Sequence, residues 1–252
     1  MSARGAGAPR TLSIDIGGTG LKAAVLDARG RLVTDRLRIR TPRPARPAAV
    51  LAGLRALAAA MPRFDRVAAG FPGVVEDEVV RTAANLHPDW IGVNLARRLE
   101  RLTGRPARVA NDADVQGMAV IEGRGVEMVI TLGTGMGSAM FLDGRLVPNL
   151  ELGHHPFRRD RTYEELLGDQ ERKHIGKRKW HKRLHAAIET LLETFNPRRL
   201  YLGGGNARLI EGPLPARVRV VSNVAGVLGG FHLWAAPRAP RPRAPRRAGS
   251  RP

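Results

Sequence analysis

Two stretches of this chain pass through the same order of features, and that repetition limits its fold more than any other property. The first is Ile14-Asp15-Ile16-Gly17-Gly18-Thr19-Gly20, followed by Leu26-Asp27-Ala28-Arg29-Gly30-Arg31-Leu32-Val33. The second is Ile130-Thr131-Leu132-Gly133-Thr134-Gly135-Met136-Gly137, followed by Leu142-Asp143-Gly144-Arg145-Leu146-Val147. Each reads as strand, glycine turn, strand, aspartate-containing turn, strand. A weak repeat of this kind implies two similar α/β lobes. The 252 residues suit one compact domain or two small lobes, and hydrophobic residues at 43% with aromatics at only 4% call for an aliphatic core.

The rest of the chain fits around those hairpins. The alternation at Thr11 to Gly17 predicts a strand, Leu21 to Asp27 a second, and Arg31 to Ile39 a third. Thr41 to Pro47 reads as a linker. The helix after it carries Val50, Leu51, Leu54, Leu57 and Met61 on one face. Arg66 to Phe71 is a strand. Asn94 is positioned to cap a helix that stops at Gly104. Arg105 to Ala110 delivers Asn111-Asp112 to the end of a strand, and Asp112 or Asp114 then caps a helix running to about Gly123. Thr162 and Glu165 have capping-box spacing. A long helix buries Leu184, Ile188, Leu191, Leu192 and Phe195, and strands at 200–202 and 217–221 precede a last helix over 223–234. The expected division is a disordered 1–10, a first lobe over 11–112, a second over 113–235, and a disordered Pro/Arg-rich tail over 236–252.

The formal net charge of +19 predicts attraction to polyanions or a solvated basic surface. The tail contributes six arginines but no aromatic residue, so it has no base-stacking device and no specific nucleic acid is expected. Cysteine is absent, so neither disulfides nor a Cys-ligated zinc site can form. The start lacks an apolar signal region, and the apolar run at Met128 to Leu142 is too short and glycine-broken to span a bilayer. A cytoplasmic protein without a membrane partner is expected.

Glycines 17, 18 and 20 permit a tight turn and close backbone approach to a ligand, whose phosphate oxygens the N–H groups can hold. Asp15 suits a metal ion or its water shell, Thr19 adds a hydroxyl and Lys22 a charge. Gly133 to Gly137 offers a second such cradle and Gly203-Gly204-Gly205 a third. Neither a P-loop nor a dinucleotide-binding glycine fingerprint is present. Asp112 at a strand end reads either as a general base or as a helix cap. Glu151 and His154, joined through Gly153, can both bond hydroxyls.

Taken in order, Asp15-Ile16-Gly17-Gly18-Thr19, Asn111-Asp112, Leu132-Gly133-Thr134-Gly135, Glu151-x-Gly153-His154 and Leu202-Gly203-Gly204-Gly205 resemble the motifs of the ROK sugar kinases. Thr82-Ala83-Ala84-Asn85-Leu86, the run from Thr131 to Ala139 and the run from Val147 to His154 look most like the polyphosphate glucokinases of that family. The resemblance spans about residues 12–234. It implies an α/β, actin/hexokinase-like (ribonuclease-H-like) fold of two lobes around a sugar cleft. It also implies Asp112 as base and Asn85, Asp89, Asn111, Glu151 and His154 as contacts to glucose or a related hexose. Asp15, Gly17, Gly18, Thr19, Lys22, Thr134, Gly135 and Gly204 are then expected around the phosphates, with Mg²⁺ at Asp15 and a homodimer as the assembly. Many ROK kinases carry a Cys-rich zinc motif; its absence here agrees with the polyphosphate enzymes.

The donor is expected to be polyphosphate, with ATP left open. A long polyanion needs a track of cations, and Lys173, Lys177, Arg178, Lys179 and Lys182 supply one unless they are merely a solvated face. The alternatives are a mannose or amino-sugar kinase of the same family and a non-catalytic sugar sensor. The sensor reading is weakened because only about ten residues precede Thr11, too few for a DNA-binding helix pair.

Overall fold

The computed structural model describes residues 8–222 and 225–235. The expectations for the first seven residues, for a helix start at Asn223 and for the tail over 236–252 fall outside the described residues.

The first repeat folds as β1 (Thr11–Ile16), β2 (Gly20–Leu26) and β3 (Leu37–Arg40). Helix α1 (Pro47–Ala59), β4 (Arg66–Phe71), the hairpin β5 (Val75–Glu76) and β6 (Val79–Val80), α2 (Leu95–Thr103) and β7 (Ala107–Asn111) follow. Then come α3 (Asp112–Met118), β8 (Val126–Leu132), β9 (Met136–Leu142) and β10 (Arg145–Val147). The remaining elements are β11 (Pro156–Arg158), β12 (Arg161–Thr162), α4 (Tyr163–Leu167), α5 (Asp169–Ile175), α6 (Lys177–Phe195), β13 (Arg199–Gly203), β14 (Val218–Val220) and α7 (Ala225–Ala235).

The repeat is realised as topology. One sheet has the order β3-β2-β1-β4-β7 and the other β10-β9-β8-β13-β14. In each, an antiparallel three-stranded meander is extended by two parallel strands. Parallel neighbours need crossovers that pack on the sheet, which is why their strands are apolar throughout: Val67 to Phe71 of β4 are all buried. Each sheet has its own aliphatic core. The few aromatic residues serve as core centres. Trp90 and Trp180 are fully buried, and each indole N–H donates to a carbonyl 2.9 Å away, Ala45 and Leu167 respectively.

Local rules hold at several ends. Asn94 Oδ1 accepts the Arg97 N–H, Gly104 closes α2 in the left-handed conformation, and Thr162 and Glu165 form the reciprocal capping box. Other ends differ from expectation. The third strand begins at Leu37 rather than Arg31, because the Thr34 hydroxyl takes the Val25 N–H and only an isolated bridge forms at Leu32. Helix α3 stops at Met118 rather than near Gly123. The buried Glu127 carboxylate gathers the N–H groups of Glu122, Gly123 and Arg124 at 2.6–3.0 Å and curls the chain away from the helix. The cap of α3 is Asn111, not Asp112 or Asp114: its Oδ1 accepts from Ala113 and Asp114 N–H at 2.7 and 3.2 Å. The expected linker is a strap. Thr41 Oγ1 and Arg43 Nη2 donate to the carbonyls of Gly17 and Gly18 at 2.6 and 2.9 Å.

Helix α7 returns to the first sheet, across β1 and β4, and lies along α3. Trp234 is held there by Arg66 and Arg108 over its ring, at 5.1 and 4.7 Å, and by its N–H to Val67 O at 3.0 Å. A β-carbon at Gly229 would collide with the Val115 carbonyl. Gly229→Ala is therefore expected to cost about 1–3 kcal/mol, read as a fall in Tm; an unchanged Tm would mean that α7 shifts without penalty.

Candidate active site

A cleft of about 1080 Å³ opens between the two sheets, and most of the sequence-predicted residues line it. From the first lobe come Asp15, Gly17, Gly18, Thr19, Lys22, Asn85, Asn111 and Asp112; from the second come Thr134, Gly135, Glu151, His154, Lys173 and Gly204. The two glycine turns face each other. A β-carbon at Gly18 would stand 3.2 Å from Asn85 O, a tight contact, and 3.8 Å from Thr134 Oγ1, an ordinary one, so the first turn closely approaches the second. The carbonyls of Gly17 and Gly18, which would repel an anion, are engaged by Thr41 and Arg43 as described above.

Because Asn111 takes the capping role, Asp112 is released from it and remains on the cleft wall at the first position of α3. Burial pushes its carboxyl up to about 8, helped by the charges of Asp15, Glu151 and Asp114 and opposed by the Ala113 N–H. Asp114 behind it is pushed up to about 7 by burial and by Glu151. Glu151 is raised by burial and by Glu164, while His154 acts in the opposite direction.

These groups form a connected polar wall. Asn111 Nδ2 donates to Gly73 O at 3.1 Å and to Glu151 Oε1 at 3.3 Å, and His154 Nε2 is 3.5 Å from Glu151 Oε2. The wall combines a carboxylate of raised basicity with fixed donors and acceptors. Such a wall can orient a polyol and accept one of its protons. Lys22 Nζ lies 2.6 Å from Asp15 Oδ2, as their cross-strand pairing dictates. Among the described residues no group of three or more His, Cys, Asp or Glu gathers as a metal cage.

The remaining predicted residues lie elsewhere. Asp89 pairs with Arg46 at 2.9 Å and does not line the cleft. Lys177 pairs with Glu211, and Arg178, Lys179 and Lys182 are exposed on α6 outside the cleft lining. Sequence reasoning missed Glu164, whose carboxylate accepts the Met136 N–H at 3.3 Å, and also Gln116, Arg38 and Arg208 on the lining. Of these, Arg38 alone left a trace, as a basic residue on a predicted strand.

A family model described as ROK family matches residues 11–163, more than half of the chain. The chain belongs to the ROK family. Polyphosphate glucokinase of Mycobacterium leprae (strain TN) is 32% identical over 238 residues, 87% of this chain and 73% of that protein. The inorganic polyphosphate/ATP-glucomannokinase of Arthrobacter sp. strain KM superposes with a TM-score of 0.81 at 32% identity, covering 88% of this chain and 97% of that one. A ROK family glucokinase from Streptomyces griseus, solved with glucose and AMPPNP, gives 0.75 at 21% identity, covering 89% and 98%. The protein is a ROK sugar kinase with the actin/hexokinase-like two-lobed fold. Among the described residues no helix is long and apolar enough to cross a membrane.

The raised carboxyl of Asp112 has a consequence for stability. The unfolded chain ionises an aspartate near pH 4, whereas the folded chain holds this proton to about 8. Stability from this group is therefore complete below about pH 4 and is lost as pH rises to about 8. Asp112→Asn should melt with wild type near pH 4 and at least about 2–4 °C above it beyond pH 8. A gap that does not change with pH would contradict the burial argument.

Proposed function

We propose that this ROK sugar kinase transfers the terminal phosphoryl group of polyphosphate to the 6-hydroxyl of glucose. The observation that carries the chemistry is Asp112, a carboxylate of raised basicity facing two glycine turns and adjoining the Asn111, Glu151 and His154 wall. The polyphosphate relatives, at 32% identity over most of the chain, support the donor.

In this reading Asn85, Asn111, Glu151 and His154 orient the sugar. Asp112 takes the proton of the attacking hydroxyl while the new O–P bond forms and the bridging P–O bond to the shortened chain breaks. The glycine turns at 17–20 and 133–135, with Thr19, Thr134 and Gly204, hold the donor phosphates. Asp15 on the cleft lining is the kind of carboxylate that Mg²⁺ takes from a protein in phosphate-transfer sites, where one or two such groups suffice. Asp15 would hold it, and it would supply neutralisation of the phosphate charge. Asp89, paired with Arg46, takes no part.

The test is a phosphorylation assay with Mg²⁺ that compares glucose with mannose and polyphosphate with ATP. Polyphosphate turnover is expected, with glucose 6-phosphate as product. Turnover with ATP alone would sink the donor assignment, and a preference for mannose the sugar assignment. Asp112→Asn should lower kcat on the order of 10²–10⁴-fold with sugar binding retained. In wild type, kcat/KM should rise with pH through an acid limb at about 8 as Asp112 loses its proton. A limb near 4, the ordinary aspartate range, would argue against Asp112 as base.

A further inference from the structure

The charges lining the cleft are sorted by position. The acids Asp112, Glu151 and Glu164 belong to the polar wall and the second glycine turn, and each of them, when ionised, repels an incoming polyanion. Several lining cations are already engaged by acids. Lys22 is tied to Asp15 at 2.6 Å, and Arg172 and Lys173 share Asp169 at 2.7 and 2.6 Å. Two lining arginines have no carboxylate partner among the described residues: Arg38 on β3 and Arg208 in the short turn of helix after β13. Both are exposed.

Arg38 is also positioned. Across the β2–β3 ladder it stands opposite Lys22, and its guanidinium lies over Gly20, where a β-carbon would sit 2.7 Å from Nε and 3.1 Å from Nη2. The missing side chain at Gly20 therefore seats a cation beside the first glycine turn. Arg208 reaches the same cleft from the other lobe, four residues after Gly204 of the third glycine turn. The guanidinium fork suits phosphate oxygens, which it can hold bidentately.

We propose that Arg38 and Arg208 grip the polyphosphate chain beyond the phosphoryl group being transferred, so that a long donor ties the two lobes together. This rests on the polyphosphate-donor reading. It places the cation track at the cleft mouth and not on the exposed start of α6. A donor too short to reach both arginines gains nothing from them, so the pair sets the dependence on chain length.

The test measures kcat/KM for long-chain polyphosphate and for tripolyphosphate, together with calorimetric binding of the long chain. Arg38→Gln and Arg208→Gln should each raise the long-chain KM about ten-fold, as loss of a charge-assisted phosphate contact does. The double variant should bring the long-to-short ratio close to one while sugar affinity and Tm stay at wild-type values. Arg38→Lys should restore part of the loss, and added salt should weaken wild type more than the double variant. An unchanged ratio in the double variant overturns the proposal, most directly if a triple Arg178→Gln, Lys179→Gln, Lys182→Gln variant collapses it instead. Wild type that phosphorylates sugar with ATP yet neither binds nor uses polyphosphate overturns the donor reading and the proposal together. Polyphosphate turnover without the arginine effect overturns the proposal alone.

Discussion

Asp112, Asp114 and Glu151 are buried together in one region of the cleft, and that burial, reinforced by the charges of Asp15 and Glu164 and by repulsion among the three, is the constraint on which the site depends. Left in water, each would ionise below pH 5. Here Asp112 and Asp114 hold their protons to about 8 and 7, which converts weak bases into competent ones at a cost in folding free energy. The two apolar cores on either side offset that cost. Asn111 matters because it satisfies the helix start without drawing on Asp112, leaving that carboxylate the polarity of its surroundings and little else.

The duplicated topology gives two equivalent turns, but the chain uses them unequally. The first is bound from behind by Thr41 and Arg43, out of the strap between β3 and α1. The second is bound from α4, the start of α5 and the turn after β13. Gly133 O accepts the Asp169 N–H at 2.9 Å and the Asn206 amide at 3.2 Å, and Glu164 holds the Met136 N–H. A symmetric frame thus presents different chemistry from each side: Asp15 and Lys22 from one, Glu151 and His154 from the other.

The repeat and the helix caps at Asn94 and Thr162 were legible because they follow from local periodicity and short-range bonding, whereas the convergence of Asn111 with Glu151, 40 residues apart, was legible only through the family resemblance. What was not legible depends on contacts distant in sequence or on a competing side chain. Thr34 replaces a strand partner, and Glu127 ends α3 from across a turn. The run at 41–47 has the composition of a linker, and nothing local reveals that its side chains reach Gly17 and Gly18. Density of charge was a poor guide to position: the basic start of α6 is conspicuous in the sequence yet lies outside the cleft lining, whereas Arg38, one of three alternating arginines with Arg36 and Arg40, and the isolated Arg208 both line the folded cleft.

Helix α7 carries a consequence for synthesis. It covers β1 and β4, strands that a ribosome makes more than 150 residues earlier. A nascent chain extrudes its beginning first and folds as units become complete. Here the face of β1 and β4 that carries Ser13 and Ala68 stays uncovered until the second lobe has been translated and α7 has emerged, when the Ser13 hydroxyl can donate to Val227 O. The two lobes share a sheet order but not independence, because the last helix of the second completes the sheet of the first.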